Sequence, residues 1–140
     1  ENFYSEVAFS GYHDMSWNIS SSGFMMTLSG YVPSIIAENI EPMLNNSLQQ
    51  MGIEKSDIQH WAIHPGGKKI VSEIQKVLTL SQADVAISRA ILNDYGNMSS
   101  ATILYVLKKM QNQIKGPNEN IYSVAFGPGL TIESMFLKSC

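Results

Sequence analysis

The sequence predicts an α/β protein in which a mixed sheet packs against helices. Three observations carry this prediction. Short strand-like runs lie near both ends of the chain and once in the middle, at Trp61-Ala62-Ile63. Between them lie longer segments whose apolar residues recur every three or four positions, the helical period. The last two strand-like runs are joined by Gly127-Pro128-Gly129, a hairpin signal, so helical crossovers do not make every strand connection. At 140 residues and 44% apolar, the chain has the length and composition of one domain, residues 1–140, with a single buried core.

Each element follows from local chemistry. Glu6-Val7-Ala8-Phe9-Ser10 alternates in part and is read as a strand. Gly11 to Ser22 is rich in Ser, Asn, Asp and Gly and is read as a loop, and Phe24-Met25-Met26-Thr27-Leu28 as a strand closed by Ser29-Gly30. A helix opens with Pro33 in its first turn, where a missing N–H costs little, and carries Val32, Ile36, Ile40, Met43, Leu44, Leu48 and Met51 before Gly52 stops it. Pro42 inside this pattern is expected to kink the helix or split it. Trp61-Ala62-Ile63 is too short and apolar for a surface helix and reads as a buried strand. Gly66-Gly67 turns the chain into a second helix with Ile70, Val71, Ile74, Val77 and Leu78. Ser81 with Asp84 resembles a capping box ahead of a third helix that ends near Tyr95-Gly96. A fourth runs from about Ser99 with Ile103, Leu107, Met110 and Ile114 on one face, to Gly116-Pro117. Residues 121–126 and 130–137 close the chain as two strands.

Composition excludes several functions. The formal net charge of −3 offers no basic footprint for nucleic acid. No apolar run approaches the roughly 20 residues of a membrane span, and the first residues lack the pattern of a secretory signal. The single cysteine, Cys140, permits no internal disulfide, and a cytoplasmic location is expected. His13, His60 and His64 form no recognisable metal-ligand spacing, so neither metal nor cofactor is expected. Charged residues are only 15%, against roughly 25% in an average soluble domain. This favours a large interface with another domain or subunit.

Three segments place unusual residues where an apolar element ends. His64-Pro65-Gly66-Gly67 follows the middle strand and precedes a helix, and strand ends and helix N-termini are where α/β sheets hold ligands and anions. Gly96-Asn97-Met98-Ser99-Ser100-Ala101 lies between two helices. Phe126-Gly127-Pro128-Gly129-Leu130-Thr131 joins the last two strands. Each has a purely structural explanation when taken alone: His64 as a packed, hydrogen-bonded residue, Asn97 as a helix cap, the glycines as a turn.

In this order, with about thirty residues between successive motifs, they resemble chalcone synthases and other type III polyketide synthases. The resemblance runs from Trp61 to Leu137 and continues more weakly through Gly23-Phe24 and Val32-Pro33. It implies one half, the C-terminal one, of a thiolase-like fold whose active site is a Cys-His-Asn triad. On this resemblance His64 and Asn97 are the catalytic His and Asn, and the nucleophilic Cys belongs to the N-terminal half. Cys140 follows an ordinary strand, with no helix N-terminus or base beside it to activate a thiol, so the chain by itself is expected to be inactive. The implied reaction is decarboxylative condensation of malonyl-CoA with an acyl-CoA starter, coenzyme A thioesters being substrates rather than cofactors. The implied partners are the N-terminal half of the same enzyme and a second copy in a homodimer.

The resemblance also assigns Ser99, Gly127, Pro128 and Gly129 to the substrate cavity. Met26 falls where plant enzymes carry a bulky Phe at the tunnel entrance, and Trp17 near a position that sets cavity size. Gly66, Gly67, Lys68 and Lys69 fall in the segment that meets coenzyme A; two ammonium groups at a helix N-terminus suit phosphates, and a solvated lysine pair is the alternative. Two departures stand out: Ala125 replaces the first Gly of the family's Gly-Phe-Gly-Pro-Gly, and Lys68-Lys69 is more basic than the plant pattern. A ketoacyl-carrier-protein synthase, which also uses a His and a Gly-Asn, is the same-fold alternative. A non-catalytic interaction half-domain is the other.

Overall fold

Alternation along the strands decides which side chains meet which helices. The computed structural model describes residues 2–7, 11, 13–21 and 23–140. Four strands, β1 (Asn2–Val7), β4 (Ile58–Ile63), β5 (Asn120–Gly127) and β6 (Thr131–Lys138), form one sheet in the order β1-β6-β5-β4. β4 and β5 run parallel, whereas β5/β6 and β6/β1 are antiparallel, so the sheet is mixed. Trp61, Ile63, Tyr122, Val124, Ile132 and Phe136 point to one face, where they pack with α1 (Val32–Met51) and α2 (Lys68–Val77). Ala62 and Ile121 point to the other and pack with α3 (Ala86–Tyr95) and α4 (Ala101–Met110). The result is a helix–sheet–helix sandwich with a separate apolar cluster on each face.

Several expectations are corrected here. The segment read as a loop from Gly11 to Ser22 contains a strand, β2 (Met15–Ser20), paired with β3 (Gly23–Leu28) in a two-stranded ribbon. Its polar residues suggested a loop, but Met15, Trp17 and Ile19 alternate with Ser16, Asn18 and Ser20 at the strand period. The first strand spans Asn2–Val7 rather than 6–10; residues 8–10 lie outside the described residues. Pro42 does not split α1, which runs unbroken over 20 residues. Pro42 and Glu38, whose carbonyl loses its partner, both lie on the exposed side, where water serves the freed oxygen. Gly52 stops the helix as expected, in a left-handed conformation with φ 64°. Ser81 and Asp84 exchange the two hydrogen bonds of a capping box, at 2.7 and 3.2 Å, in the turn before α3. α4 ends at Met110 and continues as a 3-10 turn over Gln111–Gln113, short of Gly116. Its fully buried stripe is Thr102, Val106 and Met110, and Ile103, Leu107 and Ile114, on the face the periodicity suggested, are partly buried against the same cluster as Met110.

No described helix is long and apolar enough to cross a membrane.

Candidate active site

β4 delivers His64 to the end of the sheet. Its backbone N–H donates to the carbonyl of Val124 at 2.8 Å, extending the β4–β5 ladder one residue past the strand. His64 has the parity of Ala62, so its ring projects on the α3/α4 side, and only 7% of its surface is exposed. Burial without a charged neighbour pushes its pKa below the ordinary value, which keeps the imidazole neutral near pH 7.

The chain then turns at Gly66. A Cβ there would lie 3.0 Å from the Ile70 terminal methyl, a tight approach to the end of a flexible side chain, and 3.6 and 3.7 Å from the His64 ring, an ordinary van der Waals contact. Gly67 is extended, with φ 178°, and an added Cβ would meet nothing within 4 Å. The turn expected here is present, with the Gly66 N–H donating back to the His64 carbonyl at 3.0 Å, although neither glycine has the left-handed backbone that favours glycine.

Asn97 comes from the connection between α3 and α4, in the helix layer that the His64 ring faces. Gly96 ends α3 with φ 72° and ψ −167°, a region essentially reserved for glycine. Asn97 then donates from Nδ2 to the Gly66 carbonyl at 3.1 Å. Its Oδ1 accepts the Ser99 N–H at 2.9 Å, and the Thr102 hydroxyl lies 3.4 Å from the same oxygen. Asn97 is thus not the cap of α4; Ser100 occupies that position, without a side-chain cap bond. Ser99, at φ 58°, is a non-glycine residue in the left-handed region, which costs about 1–2 kcal/mol. That cost is tolerated because the Asn97 carbonyl holds the Ser99 N–H.

His64 and Asn97 line one cavity of about 460 Å³. Of the residues assigned to substrate from sequence, Met26, Ser99, Gly127 and Pro128 line it too, as does Trp17. Gly129 does not; it holds the turn, with φ 75°. The apolar face of the β2–β3 ribbon, with Met15, Trp17 and Met26, forms one wall. Gly66, Gly67, Lys68 and Lys69 line a separate depression of about 290 Å³ with Leu28 and Pro33 among its other walls. The N-terminus of α2 faces it with no acidic residue in its first turn and no side-chain cap. Among the described residues, neither lysine has an ion-pair partner.

The sequence matches the family model for the C-terminal domain of chalcone and stilbene synthases over residues 8–140. The chain belongs to this family. The fold agrees: the crystal structure of PKS-I from the brown alga Ectocarpus siliculosus superposes with a TM-score of 0.88 at 28% sequence identity. The match covers 99% of this chain and 38% of that one, so the chain spans well under half of that protein's length.

In this chalcone/stilbene synthase domain, Cys140 lies away from the cavity. It is exposed and follows β6, whose last residue, Lys138, pairs with Asn120 at the start of β5. From Asn120 to Val124, beside His64, is about 13 Å of strand at about 3.3 Å per residue. Sequence reasoning missed other cavity residues: Ser100, Ile103, Thr131 and Glu133. Strand parity carried a signal for two of them. Thr131 and Glu133 pair with Gly127 and Ala125 across the β5–β6 hairpin, so all four share the cavity face. Ala125 sits in regular antiparallel pairing, a backbone that an L-residue adopts without strain, and its methyl adds to the wall.

Proposed function

We propose that this domain supplies the His and Asn of a Cys-His-Asn condensing site in a type III polyketide synthase, an acyltransferase. The complete enzyme joins malonyl-CoA to an acyl-CoA starter with loss of carbon dioxide. The observation that carries this reading is that His64, at the end of β4, and Asn97, in the α3–α4 connection, line one cavity, with Asn97 bonded to the carbonyl of Gly66 two residues past His64.

The chemistry needs two donors aimed at one thioester oxygen. Loss of carbon dioxide from a malonyl thioester leaves an enolate, whose oxygen gains negative charge as the carbon–carbon bond breaks. A neutral imidazole N–H and an amide N–H stabilise that charge without being deprotonated themselves. The same pair then serves the tetrahedral intermediate formed when the enolate carbon attacks the acyl thioester. His64 suits the role because burial keeps it neutral, and a neutral ring can also take the proton of a nearby thiol. One Asn97 N–H is held by Gly66, which leaves the other for substrate.

In this reading the nucleophilic Cys comes from an N-terminal half, and Trp17, Ile19, Phe24 and Leu28, exposed on one face of the ribbon, are surface for that half to cover. Lys68, Lys69 and the N-terminus of α2 receive the phosphates of coenzyme A. Met26, Ser99 and the Gly127–Gly129 turn shape the space for the growing chain. The enzyme works as a cytoplasmic homodimer. The test is Asn97→Ala in the complete synthase: malonyl-CoA decarboxylation and condensation should both fall about 10²–10³-fold, the effect of removing one oxyanion donor. A mere loop-stabilising Asn would cost about 1 kcal/mol of stability and leave the rate near wild type.

A further inference from the structure

Asn97 can donate to substrate only if its amide faces one way, and of the groups that hold it there Gly66 and Thr102 do not line the cavity. Its Oδ1 accepts the backbone N–H of Ser99 at 2.9 Å, and its Nδ2 donates to the backbone carbonyl of Gly66 at 3.1 Å. A backbone N–H only donates and a carbonyl only accepts, so the two partners fix which end of the amide is oxygen. The third partner is Thr102. Its Oγ1 accepts the Met98 N–H at 2.8 Å, which leaves the hydroxyl hydrogen to donate to Asn97 Oδ1, 3.4 Å away. Thr102 is fully buried, in the first turn of α4, on the same stripe as Val106 and Met110. It is not among the residues lining the cavity.

We propose that Thr102 is a positioning residue for the condensation, tying the 97–99 loop to α4 so that Asn97 keeps its N–H aimed at the thioester oxygen. This rests on the reading of Asn97 as the oxyanion donor. The hydroxyl does two things that no apolar side chain of the same shape can do. It fills the second acceptor site of Oδ1, which discourages rotation of the amide about its last bond. It also satisfies the partly buried Met98 N–H, which otherwise has no acceptor within the loop. Ser99 next to it is held at φ 58°, so the loop is strained and depends on these ties to keep its shape.

The experiment is steady-state kinetics on the complete synthase with Thr102→Val, which keeps the shape and removes the hydroxyl, beside Thr102→Ser and Asn97→Ala. Misplacing a reacting group by about 1 Å costs up to about 10²-fold. Thr102→Val should therefore lower kcat by about 10–100-fold, with KM for the CoA thioesters within about twofold because Thr102 touches no substrate. Thr102→Ser should restore kcat to within about threefold of wild type. An Asn97→Ala enzyme that is inactive beside a fully active Thr102→Val enzyme overturns the proposal and leaves the reading of Asn97 intact. Equal losses in Thr102→Val and Thr102→Ser also overturn it, because the methyl rather than the hydroxyl would then matter. A fully active Asn97→Ala enzyme removes the reading and the proposal together. Should Thr102→Val not fold, the comparison of Thr102→Ala with Thr102→Ser decides in the same way.

Discussion

His60 and His64 lie four residues apart, one within β4 and one just past its end, and their surroundings differ in the way that separates a holding histidine from the one proposed to act in catalysis. His60 Nε2 meets Glu119 Oε2 at 2.5 Å, and the other Glu119 oxygen accepts the backbone N–H groups of Lys115 and Gly116 at 2.9 Å each. The pair fastens the start of the sheet to the 115–119 connection that leads into β5. Hydrogen bonding from His60, then from Lys115 and Gly116, holds the Glu119 carboxyl below its ordinary pKa. His64 has no carboxylate. It is buried, kept neutral, and lines an open cavity together with Asn97. A carboxylate partner steadies a histidine, whereas a buried ring without one keeps a neutral N–H available.

The largest expected effect tests that contrast directly. In the complete synthase, His64→Gln should lower kcat by about 10²-fold or more, while His60→Gln should stay within about twofold. Equal losses from both would erase the distinction. A smaller effect sharpens the holding role of the other histidine. Glu119→Gln should lower the thermal melting temperature of the protein at neutral pH without altering the rate. Because the folded carboxyl titrates below its ordinary 4.5, its stabilisation is present above that pH and is lost as pH falls through the folded value. The melting curves of wild type and Glu119→Gln should therefore converge in acid; a constant offset at every pH would contradict the pairing. The smallest effect belongs to His64 itself. Burial lowers its pKa from 6.5, so between the folded value and 6.5 the unfolded chain binds the proton that the folded one refuses. Stability should fall as pH drops through that window, and His64→Gln should flatten the slope in chemical denaturation.

Much of the site was legible because backbone geometry leaves marks in the sequence. Gly96 must be glycine where α3 ends, and His-Pro-Gly-Gly and Gly-Asn-Met-Ser-Ser-Ala were legible together, with the Gly-Pro-Gly turn, as a family resemblance. Trp17 and Met26 were placed at the cavity by resemblance, and both line it, although the strand carrying Trp17 was read as a loop. That strand escaped notice because its ribbon is largely exposed, and without burial the alternation of Met15, Trp17 and Ile19 competes with many turn-forming neighbours. Thr102 was missed for a different reason. A threonine in the buried stripe of a helix looks like a small core residue until its hydroxyl is seen against Met98 and Asn97.

The sequence by itself determined most of the elements through periodicity and glycine placement, and the order of its motifs carried the resemblance that pointed to the family and to the two residues on which the chemistry is proposed to turn. The tertiary structure alone decided that His64 and Asn97 meet through Gly66 and that His60 and His64 have opposite surroundings. It also put Gly129 in the turn and Glu133 in the cavity wall. These depend on how β4, α3 and the β5–β6 hairpin pack, and packing brings together residues whose separation along the chain carries no trace of their contact.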